Sequence, residues 1–228
     1  MSGRVHFAGI RAPSQPTRPA AAPSTIIQDA RFRNLLDSRE WSKLPWPIQR
    51  RFTHALADGE SSVFLGEVAE TRLSLFGRLI SRVLLLFGAP LPLQPTHRTS
   101  AAVIVTEDHA SGGQLWTRIY GRIGRFPQVI HSAKCFSGPT GLEERVGGGL
   151  GMALTAHVEN RALVFRSAWY FLRVFALTLR VPSMLSPGRL EVVHREERDG
   201  CFSFTLTIHH PLFGEVVRQA AFFKDGPR

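Results

Sequence analysis

The chain has 228 residues, 43% of them hydrophobic and sixteen of them Phe, a composition that excludes a largely disordered or collagen-like protein. Its formal charge of +10 comes from 28 Lys and Arg against 18 Asp and Glu, an excess that suits phosphate, nucleic acid or an anionic membrane face. Only Lys43, Lys134 and Lys224 are lysines, and the arginines are scattered with no run of five or more, which favours a plain bias toward Arg and Ala as the source of the charge.

In chain order, residues 1–24 hold Pro13, Pro16, Pro19 and Pro23 and no acidic residue, which predicts a flexible Pro/Ala-rich tail ahead of one β-rich domain over residues 25–228. From Ser24 or Thr25 as cap, Ile27, Ala30, Phe32, Leu35 and Leu36 fit one side of a helix. A second helix is predicted from Pro47, whose missing N–H costs nothing in a first turn, with Ile48, Phe52, Ala55 and Leu56 on its apolar face. Val63 to Arg72 reads as a strand. Leu73 to Phe87 reads as a helix whose apolar side carries Leu73, Phe76, Ile80, Val83 and Phe87, stopped at Gly88. That helix can pack on a sheet, or lie on a membrane with Arg72, Arg78 and Arg82 at the headgroups.

Beyond residue 100 the hydrophobic period changes to two. Ten strands are predicted: Ala101–Glu107, Gln114–Tyr120, Gln128–Phe136, Gly141–Arg145, Gly151–Val158, Arg161–Val174, Leu177–Val181, Arg189–Arg198, Cys201–His209 and Glu215–Lys224. Short turns between them imply antiparallel neighbours, because parallel ones need long crossovers. A two-residue turn at Glu159 and Asn160 sets Leu154 opposite Phe165 and Ala156 opposite Leu163. A three-residue turn with Gly200 in the left-handed position sets Leu190 opposite Ile208, Val192 opposite Leu206 and His194 opposite Phe204. Arg161 to Val174 is apolar on both faces, with Leu163, Phe165, Trp169 and Phe171 on one and Val164, Ala168, Tyr170, Leu172 and Val174 on the other. Such long strands twist and coil. The expected fold class is therefore α+β, predominantly antiparallel β: a strongly curved sheet or open barrel with N-terminal helices and one helix packed on the sheet.

The same segments carry a family resemblance. Trp41-Ser-Lys-Leu-Pro45, Arg50-Arg51-Phe52, Trp116-Thr-Arg118, the run Arg145-Val-Gly-Gly-Gly-Leu-Gly-Met152, Phe165-Arg-Ser167, Tyr170-Phe-Leu-Arg173, Pro187-Gly-Arg-Leu-Glu-Val-Val-His194 and His209-His-Pro-Leu-Phe-Gly214 together resemble an uncharacterised bacterial family, domain-of-unknown-function family 4166. The resemblance implies a free-standing counterpart of domains otherwise fused to saccharopine-dehydrogenase-like or short-chain dehydrogenase domains, and hence a partner dehydrogenase. It transfers no catalytic residue.

No catalytic constellation or cofactor motif is readable. The Gly147–Gly151 cluster fails GxGxxG because position 152 is Met, and fails GxxxxGK[ST] for want of the Lys; it reads instead as a sharp bend or bulge. Glu143 and Glu144, adjacent on a strand, point to opposite faces and read as solvated. His209 and His210 fail as joint metal ligands for the same reason, and read as initiating the turn at Pro211. Cys135 and Cys201 have no CxxC spacing and read as free thiols. They point to a cytoplasmic setting, as does the lack of an apolar stretch near the N-terminus.

A concave β surface carrying Trp116, Met152, Phe165, Trp169 and Tyr170, with Arg118, Lys134 and His194 as polar contacts, has the make-up of an apolar ligand pocket and equally of a core. His194 reads as a neutral, hydrogen-bonded core histidine or as a general base. The leading expectation is a non-enzymatic binding module for an apolar small molecule or lipid. The alternative is an enzyme or accessory subunit, an isomerase or dehydrogenase partner, using the same cavity. Third stands peripheral contact with an anionic membrane surface; nucleic acid is disfavoured, since aromatic and basic residues do not interleave as a stacking platform requires.

Overall fold

The computed structural model describes residues 27–225 apart from 58, 59, 87, 89, 90 and 176. The tail expected over residues 1–24 and the cap at Ser24 or Thr25 lie outside the described residues, as does Phe87.

The N-terminal segment runs through β1 (Ile27–Gln28), a 3-10 turn at Arg33–Leu35, α1 (Ser38–Trp41), α2 (Trp46–Phe52) and β2 (His54–Ala55), which pairs with β1. The helix expected from Ser24 is thus replaced by a short strand and a 3-10 turn, because this stretch docks by single large side chains rather than by one continuous face. Asp37 caps α1 by accepting from the Arg39 N–H at 2.9 Å. Pro47 sits in the first turn of α2, as expected, but the helix ends at Phe52, so Ala55 belongs to β2.

The rest builds β3 (Ser62–Leu73), α3 (Leu75–Leu85), β4 (Thr96–Asp108), β5 (Gly113–Tyr120), β6 (Gln128–Cys135), β7 (Glu143–Gly147), β8 (Leu150–Glu159), β9 (Ala162–Val174), β10 (Leu177–Arg180), β11 (Arg189–Glu196), β12 (Cys201–His210) and β13 (Gly214–Asp225). All pairings are antiparallel. Each strand pairs with the next in sequence from β3 to β9 and from β11 to β13; β9 pairs with β11, and β13 returns to β3. The result is a closed, ten-stranded, up-and-down barrel, with β10 hanging as a short flap on β9. Closure leaves no free edge in the ring.

The β11–β12 hairpin has the expected register, Leu190 to Ile208, Val192 to Leu206 and His194 to Phe204, with Gly200 at φ +69°. The β8–β9 hairpin turns one residue later than expected, at Asn160 and Arg161, which both take positive φ. Two such residues make a turn whose twist matches the flanking strands, and Ala156 rather than Leu154 faces Phe165. The inward faces still coincide. Gly147–Gly149 forms the β7–β8 turn, all three at positive φ, with a register shift beside it, which is the bend its glycines suggest.

The two ends of the barrel differ. One is plugged by the N-terminal segment: Phe32 and Phe52 meet edge to face at 4.9 Å, and both pack on Phe165 inside the barrel. Arg31 holds the segment by donating to Glu107 and to the Gly112 carbonyl at the β4–β5 turn, and Arg51 by pairing with Glu196 and Asp225. Across the other end lies α3, capped by Ser74, whose hydroxyl accepts from the Gly77 N–H.

The side of α3 that meets the sheet is only partly the one expected: Phe76 packs on the core and Ile80 is half-buried, but the contact is centred on smaller residues. Gly77 and Ser81 are buried, whereas Val83 is 46% exposed and Leu73 belongs to β3. A side chain at Gly77 would begin 2.2 Å from the Val216 carbonyl oxygen, so the helix rests its small residues directly on β13, with Phe76 packed beside them, and turns Leu75, Leu79 and Val83 outward. Among the described residues no helix is long and apolar enough to cross a membrane.

If the plug is part of the core, Phe52→Ala will cost about 3 to 5 kcal/mol in chemical denaturation, whereas Trp46→Ala, at a side chain 69% exposed, will change stability by under about 0.5 kcal/mol.

Candidate functional site

Because side chains alternate in and out along each strand, the bore of the barrel is lined by every second residue. Between plug and α3 it contains a cavity of about 150 Å³. Its walls include Met152, Leu154, Phe165, Leu190, Val192 and Phe204, and Leu84 and Pro92 border it on the α3 side. Ten strands enclose a wider bore than eight, and the plug fills only one part of it.

Three charged side chains enter this apolar space from neighbouring strands. β5 contributes Arg118, β6 Lys134 and β7 Glu144, with Lys134 directly opposite Glu144 in the register. Glu144 accepts from Arg118 Nη2 at 2.9 Å and from Lys134 Nζ at 2.8 Å, and Arg118 Nη1 donates to Ser132 at 3.0 Å. Lys134 and Glu144 are 5% and 6% exposed. Burial by itself would raise the Glu144 carboxyl, yet the two cations hold it far below the usual carboxylate range. Burial lowers the Lys134 ammonium, and Glu144 opposes that shift. Lys134 also lies over the rings of Trp116 and Phe165, at 5.2 and 5.5 Å. Two cations thus share one carboxylate inside an oily chamber, leaving one positive charge in excess. Tyr170, which borders the same cavity, has a buried hydroxyl with Ser167 beside it but outside good hydrogen-bond geometry, and burial raises its pKa.

Of the residues singled out in the sequence, Trp116, Arg118, Lys134, Met152, Phe165 and Tyr170 line this cavity together. Trp169 does not. Ala153 pairs with Trp169 but Leu154 pairs with Ser167, so Ala168 is an extra, bulged residue. The bulge reverses the alternation: Phe165 and Tyr170 both point inward, and Trp169 points outward, stacked under Arg180 at 5.0 Å beside an external groove. His194 faces the bore but on the plugged side, fully buried among Phe52, Phe202 and Phe204 with ring centroids 4.4 to 5.4 Å away. It is not the hydrogen-bonded histidine expected, since neither ring nitrogen has a partner. Burial, with Arg51 nearby, pushes its pKa down to about 3, so it is neutral and shielded rather than poised as a base.

The structure corrects the reading of Glu143 and Glu144 as solvated. They do point to opposite faces, but Glu143 bonds Arg145 on the outside, and Glu144 is the hub of the buried cluster. The signal that could have found it is the inward face shared by Arg118 and Lys134, which demands a carboxylate across the ladder. His210 meets the expectation for the turn, its Nδ1 accepting from the Leu212 N–H at 3.1 Å. Cys135 and Cys201 are free.

The family model described as Domain of unknown function (DUF4166) matches residues 44–223. The chain belongs to this family. No curated protein and no solved structure matches it. The match runs from just before α2 into β13, stopping two residues short of that strand's end, so the DUF4166 region takes in all ten barrel strands but for those two residues, together with α3 and the whole charged cluster.

Two outcomes test this geometry. Glu144→Met will leave two buried cations without an anion and cost about 3 to 5 kcal/mol, while Lys134→Met, which keeps the Arg118–Glu144 pair, will cost far less; equal losses in denaturant titrations would mean the cluster needs both cations. For His194, the folded pKa lies below the unfolded value of about 6.5, so its contribution is complete above that pH and is lost as pH falls toward about 3. Denaturant titrations repeated across this window will show the stability of His194→Leu declining less steeply with acid than that of the parent.

Proposed function

We propose that this DUF4166 domain binds an apolar small molecule carrying an anionic group, a carboxylate-bearing lipid being the simplest example, within the barrel. The observation that supports the reading is the unmatched positive charge of Arg118 and Lys134 inside the apolar cavity. A buried charge without a counterion is costly, and an acidic head supplies one. Lys134 has donors beyond the one given to Glu144, and the Tyr170 hydroxyl offers a further one. Apolar walls with a few convergent polar groups are the usual construction of a small-molecule site.

Size sets the pose. A cavity of about 150 Å³ takes a ring or a short alkyl segment, so a longer molecule places its head at Lys134 and leads its remaining chain past Leu84 and Pro92 toward α3. The alternative of an isomerase-type enzyme with His194 as base has no comparable support, because that imidazole sits outside the cavity and lacks any hydrogen bond.

A fluorescent fatty acid, dansyl-undecanoate, will gain blue-shifted emission with the parent protein and lose at least about tenfold in affinity, roughly 1.4 kcal/mol, with Lys134→Met. A neutral amide of the same probe will bind both proteins alike. Absence of binding by either probe would remove the reading, and equal loss of both would remove the acidic head.

A further inference from the structure

In an up-and-down barrel every second connection falls at the same end. Here the connections after β3, β5, β7, β9 and β12 share the end crossed by α3, and those after β4, β6, β8 and β11 share the plugged end. Exposed large apolar side chains are divided very unequally between the two. At the α3 end, the helix turns Leu75, Leu79, Val83 and Leu86 to solvent, with Leu75 and Leu86 both 84% exposed. The β5–β6 turn adds Ile123 at 93% and Phe126 at 92%, the β9–β10 turn Phe175 at 98%, and the β12–β13 turn Leu212 at 67%. Among the described residues, the plugged end exposes Trp46 at 69%, and on the strand stretches leading to it Leu65, Leu115 and Phe222 at 42 to 49%, with no large apolar side chain at the tip of its β-turns.

Charge follows the same division. Exposed Arg72, Arg78, Arg82, Arg98, Arg125 and Arg218 stand on or beside α3 and the connections of its end, against Glu67, Glu70 and Glu215. At the plugged end the exposed cations Arg33, Arg39, Lys43, Arg50, Arg161, Arg195, Arg198 and Lys224 are offset by a similar number of acids, among them Asp37, Glu40, Glu60, Asp108, Glu159, Glu196, Glu197, Asp199 and Asp225, so the net positive charge falls to the α3 end. The arginines of α3, Arg78 and Arg82, are interleaved with Leu75, Leu79 and Val83, so their stems can follow the apolar face while the guanidinium groups reach a polar layer.

We infer that the α3 end is a docking surface for an anionic lipid bilayer. Isolated exposed apolar residues are ordinary, but a concentration of them at one end marks an interaction site. Its form selects the partner. The residues stand on one helix and on the tips of three separate turns rather than in a groove, and a plane meets such tips together. Aliphatic and aromatic side chains at the level of an acyl boundary, flanked by arginines at the level of phosphate, match the two layers of an anionic membrane surface. The cavity's border at Leu84 and Pro92 belongs to this same end, so a docked molecule turns its chamber toward the lipid. The docking rests on exposed side chains alone and stands apart from the cavity's ligand.

The full chain is to be floated with vesicles of phosphatidylcholine alone and of phosphatidylcholine with about 30% phosphatidylglycerol. The expected result is flotation with the anionic vesicles, falling at least about tenfold between about 50 and 500 mM salt, and near absence with the neutral ones. Leu79→Glu and Phe126→Glu, both at solvent-exposed positions, will each reduce it at least about fivefold with unchanged melting temperature, and Trp46→Glu at the plugged end will not. Lys134→Met will float like the parent, which separates this surface from the acidic-ligand reading. Failure to float with anionic vesicles would overturn the inference, as would equal flotation with neutral ones or indifference to both outward-face substitutions. Light scattering showing a dimer that Phe126→Glu dissociates, with no flotation, would overturn it in favour of a second copy of the chain.

Discussion

The pairing of β13 with β3 joins the last strand of the meander to the first, nine residue pairs long from Val217–Leu73 to Asp225–Phe64 with one register shift. Because that seam closes, all ten strands have two neighbours and the inward half of every strand must face the other nine. A sheet left open could have wrapped its apolar side around a helix. A closed ring has instead to fill its bore from the ends or leave part of it empty, and this chain does both. Phe32 and Phe52 close one end, and α3 crosses the other without entering, since Gly77 seats it directly on β13.

Into the space that remains the chain places charge. Arg118, Lys134 and Glu144 stand on three consecutive strands, and the ladder brings Lys134 and Glu144 face to face. A buried ion pair contributes little net stability compared with apolar packing, and a triad with two cations contributes less again. Its presence in a bore otherwise lined by Leu, Phe, Met and Val is the strongest sign that the interior is built to receive something. His194 shows the contrasting case. It is as deeply buried, but packed on Phe52, Phe202 and Phe204 and held neutral, it behaves as part of the wall.

Much of this was legible from alternation. Each predicted strand is present, because a two-residue period bounded by turn residues has no helical counterpart, and the matching of apolar faces with Gly200 in the left-handed position fixed the β11–β12 register. Closure itself was not legible, since nothing local in β3 or β13 states that they pair. The bulge at Ala168 was also hidden. A single extra residue moves Trp169 from the inside to the outside and Tyr170 the other way, and no turn residue announces it. The N-terminal segment misled for a different reason: Phe32, Leu35 and Leu36 have helical spacing, but they fill a hole shaped by other strands. Glu144 needed the register of three strands at once, which adjacency to Glu143 could not supply.

Arg118 and Lys134 share a single lining carboxylate, Glu144, in the barrel interior, and the central claim is that an acidic apolar molecule completes the pairing. Native mass spectrometry of the intact protein purified without detergent or organic solvent tests it most directly. The account predicts a bound species that is absent from the denatured mass spectrum, ionises as an anion after extraction, and is depleted in Lys134→Met. A native mass equal to that of the bare chain, in protein that also fails to take up an added long-chain carboxylate, would contradict it.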